Sequence, residues 1–432
     1  MRSVVWRGAV VLATVLAVAP HEAKALDLSA ALREVATANP TLAGRREMVE
    51  AARLRIAPAG AWQSPMVEIG AINVPTNGRF DSDPMTMKMV GIQQRVPIFG
   101  ANRLNRHSAA SAAEAEGAGV EMANYELFSM AWEAYAEAYY AGRLEALSLA
   151  HRADMERLVR SARARFESGN GRLDDVLRAE AEQARTLSDL SGFAAEEQAA
   201  RARLAALMGR ESAALGDSLE PPPATSPLED PAAAIAKVNE SHPRLRELRA
   251  QRDRYRLAAR AARRMLWPDL QVSASYGLRQ PIMGVAQDNM WSATLGFMLP
   301  VFAPQRELAE GSEMDAMARA TESDLRAASL DLDQQIRGLY ASRRSDRRTV
   351  SLLADTVVVT ERRAVEASLS AYDAGATDLW RVFEATHSLY DEEVALARAR
   401  QDLARTEARL LATTARADLL GVTLPEIERS NR

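Results

Sequence analysis

The 432-residue chain contains no cysteine. No disulfide can staple it, no thiolate can serve as nucleophile or metal ligand, and no amino-terminal cysteine can carry a lipid. Proline is missing from two long stretches, residues 98–220 and 305–424. Beyond residue 25 there is no apolar run of eighteen or more, which excludes a transmembrane helix there. A chain of this kind in a membrane has to be a β-barrel. The formal charge is only −4 and becomes slightly more acidic without the first 25 residues, which argues against a nucleic-acid partner. There is no Gly-rich phosphate loop, no nucleophile elbow and no His-Glu-x-x-His, so neither an enzyme nor a bound cofactor is expected.

What is present starts with a leader. Arg2 and Arg7 flank a short basic region, Gly8 to Ala19 is apolar, and Ala23-Lys24-Ala25 is a small-x-small cleavage pattern. Residues 1–25 therefore read as a signal peptide, and the chain as exported. The remainder carries a long-period repeat. Pro40, Pro65, Pro97 and Phe99 return as Pro243, Pro268, Pro300 and Phe302, each displaced by 203 (243 − 40, 302 − 99). Further on, Phe166 to Val176 answers Tyr372 to Val382 at an offset of 206. This predicts an internally duplicated chain: a first repeat over 26–208, an inter-repeat linker over 209–232 holding Pro221-Pro222-Pro223, a second repeat over 233–421, and a polar tail over 422–432.

The proline-free stretches are rich in Ala, Leu, Glu and Arg, the strong helix formers. Each reads as a helical hairpin: Leu104 to Phe166, a turn at Gly169-Asn170-Gly171, and Leu173 to Leu207; then Leu308 to Tyr372, a turn at Gly375, and Asp378 to about Ala417. Ala109, Ala110, Ala112, Ala113, Ala131, Ala134 and Ala138 predict close helix contacts with small rather than bulky side chains inside. Imperfect heptads favour an array of helices packed sideways over a two-stranded coiled coil. Paired acids such as Glu126 and Glu133 read as solvated or ion-paired faces.

Four strands are expected between the helices. Leu270 to Arg279 alternates apolar with polar or small residues, and Trp291 to Phe297 continues that period. In the first repeat Val67, Ile69 and Ala71 share one face, and Met85, Met87 and Met89 share a face of the next strand. Such lengths suit tilted membrane strands, and Trp62, Phe99, Trp267, Trp291 and Phe302 gather at strand ends as in an aromatic girdle. A soluble antiparallel sheet with one wet face is the competing reading. Four strands cannot close a barrel, and open edges are not viable in lipid. An obligate oligomer follows, of eight strands from two chains or twelve from three.

The order helix, strand pair, helical hairpin, linker, and the same again resembles the TolC-like outer-membrane efflux proteins. Asn39-Pro40 with Leu42, Gln93-Gln94-Arg95-Val96-Pro97-Ile98-Phe99-Gly100, Leu299-Pro300-Val301-Phe302 and the two aromatic-x-x-Gly turns carry that likeness. It spans essentially the whole chain after the leader. It implies an α+β membrane protein: a homotrimer with a 12-stranded barrel in outer-membrane lipid, continued by a periplasmic α-helical barrel. It further implies an exit duct docking on a periplasmic adaptor (membrane fusion) protein and an inner-membrane pump of the RND type. The run Met89 to Gly100 resembles the heavy-metal subgroup, which points to heavy-metal cations or small toxic compounds as cargo. A multidrug duct, a type I protein-secretion duct and an exported coiled-coil scaffold without a pore are the alternatives.

The resemblance places a gate at the hairpin tips, where an Asp of one hairpin meets a Tyr and an Arg of the other. The Asp maps to Asp175, with Asp174 beside it, and the Tyr to Tyr372. Thr377 stands where the Arg is expected and Arg381 where the second hairpin has its Asp, leaving Arg172 or Arg381 as substitute cations. Gly169, Gly171 and Gly375 form the turns. Asp174 and Asp175 also read as helix-capping carboxylates, a role compatible with gating, and in a trimer they would make a ring of six carboxylates. Met85, Met87 and Met89 are soft-ligand candidates for Cu(I) or Ag(I), against the plainer reading of apolar filler facing lipid. His107, His151, His242 and His387 show no metal-ligand spacing and read as solvated or packed.

Overall fold

The computed structural model describes residues 25–169, 171–211, 218–299 and 301–420. Residues 1–24 of the leader, the tail from residue 421, part of the linker, Asn170 and Pro300 lie outside the described residues. Two short helices open the chain. Asp27 caps α1 (Leu28–Ala38) by accepting from the Ala30 N–H, and Asn39 caps α2 (Pro40–Leu54), with Pro40 at the first position. A single turn, α3 (Ile56–Ala59), leads into strands β1 (Met66–Ile72) and β2 (Met87–Val96). Helices α4 (Ala101–Glu167) and α5 (Leu173–Leu207) form the first hairpin. The order then recurs: α6 (Pro231–Ser241), α7 (Pro243–Arg264), β3 (Asp269–Arg279), β4 (Met290–Met298) and a second hairpin. Pro243 occupies the first turn of α7, and His242 accepts from the Arg244 N–H, so Pro40 and Pro243 perform one job in two places.

The second hairpin is not built like the first. Its outgoing arm is α8 (Ala303–Leu352), a π-helical turn over Leu353–Val357, and α9 (Val358–Asp373); α10 (Leu379–Thr414) returns. The expected single helix is thus interrupted by one wide turn. Helix α4 packs on α5, α7 and α10, and α8 packs on α7 and α10, the sideways array that the sequence implies. At about 1.5 Å per residue, α4 is roughly 100 Å long.

The interior is less uniformly small than expected. Ala113, Ala131, Ala134 and Ala138 are buried, but Phe128, Trp132 and Tyr135 of α4 are buried completely beside them. They share one cluster with Leu32 and Val35 of α1, Ile235 and Val238 of α6, Ile336 of α8, and Leu410 and Leu411 of α10. The two short helices and the linker add a further layer here, giving depth that hairpins alone lack. Polar ties hold that layer. The Tyr135 hydroxyl lies 2.7 Å from the carbonyls of both Leu26 and Glu220, and Leu26 bridges Leu219. Arg343 and Glu407 form a buried ion pair at 2.9 Å, and the same guanidinium donates to Thr225 Oγ1 at 2.7 Å and the Ser226 carbonyl at 2.9 Å.

The sheet runs β1-β2-β3-β4, all antiparallel. Its register puts Val67 with Ile92, Ile69 with Val90, Val90 with Tyr276, Tyr276 with Trp291, and Val272 with Leu295 on one face. The other face carries Glu68, Gln93, Arg95, Gln271, Ser273, Ser275, Ser292 and Thr294. Among the described residues nothing covers the apolar face: Ile69 is 81% exposed, Trp291 77% and Leu295 63%. Phe99 stacks on Trp267 at 5.2 Å where the sheet meets the helices, while Trp291 with Tyr276 marks the loop end.

The Arg343–Glu407 pair yields a test. Removing one partner of a buried pair costs about 3–5 kcal/mol, whereas replacing both by apolar groups is often neutral. Arg343→Met should therefore lower the thermal midpoint of helix melting by circular dichroism, and Arg343→Met with Glu407→Leu should recover most of the loss.

Candidate functional site

The hairpin tips are built on two turns that require glycine. Gly169 has φ +76° and Gly375 has φ +71°, the left-handed region in which a Cβ is strained. Gly171 is needed for a different reason: a Cβ there would stand 2.8 Å from the Phe166 amide nitrogen. Behind the turns the two hairpins pack together. Ala162 of α4, Val176 of α5 and Leu379 of α10 form one buried cluster, and Met155, Val159, Ala179 and Phe383 form the next.

Above that packing lies a cleft of about 310 Å³, lined by Arg165, Arg172 and Arg178 and by Asp174, Asp175 and Asp378 among others. Asp174 does not cap α5. The residue before the helix is Arg172, which makes no side-chain capping bond; it donates instead to Asp174 Oδ1 at 2.8 Å and Oδ2 at 3.2 Å. The guanidinium holds the Asp174 carboxyl below the usual carboxylate range. Asp174 and Asp175 do sit in the first turn, where negative charge opposes the helix dipole. The true cap is in the other hairpin, where Asp378 accepts from the Arg381 N–H at 3.1 Å. A helix-initiating Asp before an apolar Leu is a recognisable start signal that the gate assignment passed over.

Tyr372 is held by groups the sequence reading did not select. The Arg165 guanidinium lies 4.4 Å from its ring centroid, and its hydroxyl is 3.3 Å from Ser161 Oγ. Thr377 is half-buried in the turn. Arg381 is largely exposed, 3.7 Å from Glu384. A second guanidinium, Arg178, lies over Trp380 at 5.0 Å, and Trp380 stacks on Phe383. Three arginines thus share the cleft with three carboxylates, so its charge is balanced within one chain.

The methionine triplet is not brought together on one strand face. Met85 lies outside β2 in a turn and is exposed, because Asp83 Oδ1 accepts from its N–H at 2.7 Å and ends the loop there. Met87 and Met89 belong to the face carrying Gln93 and Arg95, not to the apolar face, and Met87 packs against Gly277. His151 and His242 are packed and His107 is exposed, as expected, but two of the four histidines also meet. His151 and His387, far apart in sequence, have ring centroids 5.9 Å apart, with the Glu182 carboxylate beside them. Their spacing carried no signal because they sit on different helices. Glu133 is ion-paired as expected, to Arg409 at 3.3 Å.

Comparison with known proteins decides the family. The profile of the Outer membrane efflux protein family matches residues 31–210 and 234–416. The chain belongs to that family. Its members are the outer-membrane channels of tripartite efflux systems rather than enzymes. The outer membrane efflux protein BepC of Brucella suis biovar 1 is 24% identical over 92% of this chain and 88% of its own. The outer-membrane channel OprN has the same fold, with a TM-score of 0.75 at 20% identity over 90% of this chain and 89% of its own. CusC aligns almost as well, at TM-score 0.73 and 14% identity over 90% and 91%.

The turn geometry predicts a local effect. Gly171→Ala should loosen the first tip and speed limited proteolysis between residues 165 and 173. Gly44→Ala, in α2 where an added methyl would meet nothing within 4 Å, should be neutral or stabilising by up to about 1 kcal/mol.

Proposed function

We propose that this chain is one third of a homotrimeric exit duct, with twelve strands closing a barrel in the outer membrane of a Gram-negative cell and the helices forming a periplasmic tube. The carrying observation is the naked apolar face of the sheet, opposite a face of polar and small residues. A soluble sheet would bury that face, and lipid is the medium that accepts it bare. The unpaired outer edges of β1 and β4 call for neighbouring copies, since backbone groups in lipid need partners. The repeated order of elements supports an internal duplication, with repeats at 26–208 and 233–421 joined by the linker at 209–232.

The duct is passive. A periplasmic adaptor and an inner-membrane pump deliver small toxic solutes, heavy-metal cations among them, and the hairpin tips form the gate. Asp174, Asp175 and Tyr372 act there, with Arg165, stacked on Tyr372, supplying the cation that Thr377 does not. Loss of the gene should lower tolerance to exported compounds; unchanged tolerance to copper, silver, zinc, cobalt and cadmium would remove the metal cargo and leave a drug or protein duct.

Two experiments test the architecture. Detergent-extracted protein should run as a heat-sensitive trimer and conduct in planar bilayers, with Arg165→Ala raising open probability; monomeric, non-conducting protein would overturn the duct. Leu295→Arg, on the apolar face, should cost about 2–4 kcal/mol and impair membrane assembly, while Thr294→Arg on the opposite face should assemble normally.

A further inference from the structure

Away from the tips, α4, α5 and α10 converge on a set of donors that the duct reading does not use. His151 of α4 is 4% exposed, and its ring lies parallel to Tyr390 of α10, with centroids 4.1 Å apart. Tyr390 is itself fixed by Ser148, 2.7 Å from its hydroxyl. The His151 Nε2 atom is buried and has no hydrogen-bond partner. His387 Nδ1 is likewise buried; it lies 3.2 Å from Glu182 Oε1 without hydrogen-bond geometry. Glu182 of α5 is 6% exposed, and Arg185 donates to its other oxygen, Oε2, at 3.0 Å. One ligand atom from each of His151, Glu182 and His387 lies within 4.8 Å of the others.

Desolvated donors with no partner are costly, and two imidazole nitrogens aimed beside a carboxylate oxygen are a demanding case. A cation between them relieves all three. The surroundings favour one. His387 Nε2 stands 3.4 Å from Asp391 Oδ2, which can accept a hydrogen bond from Nε2–H and so leave Nδ1 with its lone pair free to ligate. Arg185 is the cation in contact, and it leaves Oε1 free.

We propose that His151, Glu182 and His387 bind one divalent cation of the zinc class per chain, clipping α10 to the α4–α5 hairpin. Two imidazoles and a carboxylate suit zinc, cobalt or nickel, with a water in the fourth position. Donors around a tetrahedral zinc stand roughly 3.3 Å apart, given bonds of about 2.0–2.1 Å. The donors here stand no more than 4.8 Å apart. The ion is a resident of the protein, independent of what the duct exports.

The test uses full-length protein in detergent, stripped with chelator and titrated with zinc chloride by calorimetry and elemental analysis. One zinc per chain is expected. His151→Gln and His387→Gln should each weaken binding at least tenfold, while His107→Gln, in the exposed part of α4, should not. Cobalt should give visible d–d absorption in the parent protein and lose it in His387→Gln. Because a variant can fail to assemble, the parent protein carries its own check: its melting temperature should rise with zinc and fall with chelator. Absence of saturable binding by the parent, or full stoichiometry in the folded His151→Gln/His387→Gln double variant, would overturn the site.

Discussion

Backbone pairing at the two ends of a four-stranded sheet governs the rest of this structure. Three ladders are satisfied inside the chain, and among the described residues no strand pairs with the outer edges of β1 and β4. In lipid, each unsatisfied amide costs several kcal/mol, so a protomer of this kind cannot be stable there alone. The helices inherit the same requirement. Helices α4 and α8 leave the sheet from β2 and β4, and their positions around any axis follow from where those strands stand. Assembly and fold are therefore a single problem in the proposed duct.

The polar ties of the linker layer solve a related difficulty. Long hairpins with alanine seams bury little apolar area per residue, and side-by-side helices alone leave no deep interior. The layer formed by α1, α6 and the linker creates one around Trp132 and Tyr135. Because that layer includes irregular backbone, its carbonyls need donors. Tyr135 and Arg343 provide them from the long helices. The ion pair to Glu407 is thus a fixing point for the linker more than a source of net stability.

Much of this was legible in the residues. The limits of α5 at Leu173 and Leu207 follow from helix formers bounded by glycine, and β3 and β4 follow from strict alternation. What periodicity could not convey was contact between distant segments. The full burial of Phe128, Trp132 and Tyr135 depends on short helices arriving from elsewhere in the chain. Arg165 reaches Tyr372 only because the hairpins lie side by side, and His151 meets His387 for the same reason. Local errors had local causes. The Met85 backbone is captured by Asp83, and Asp174 is captured by Arg172 before it can cap.

The wide turn at Leu353–Val357 lies in the longer of the two outgoing arms. The stretch from Phe302 to Tyr372 is three residues longer than the stretch from Phe99 to Phe166. Three residues of ordinary helix advance the chain by about 300°, leaving every later side chain out of phase by roughly 60°. A π-turn takes in residues at a smaller rotation per residue, so it resets the phase of every side chain beyond it. Beyond it, Tyr372 faces Arg165 and Ser161. Angular register, more than length, is what the two arms have to share.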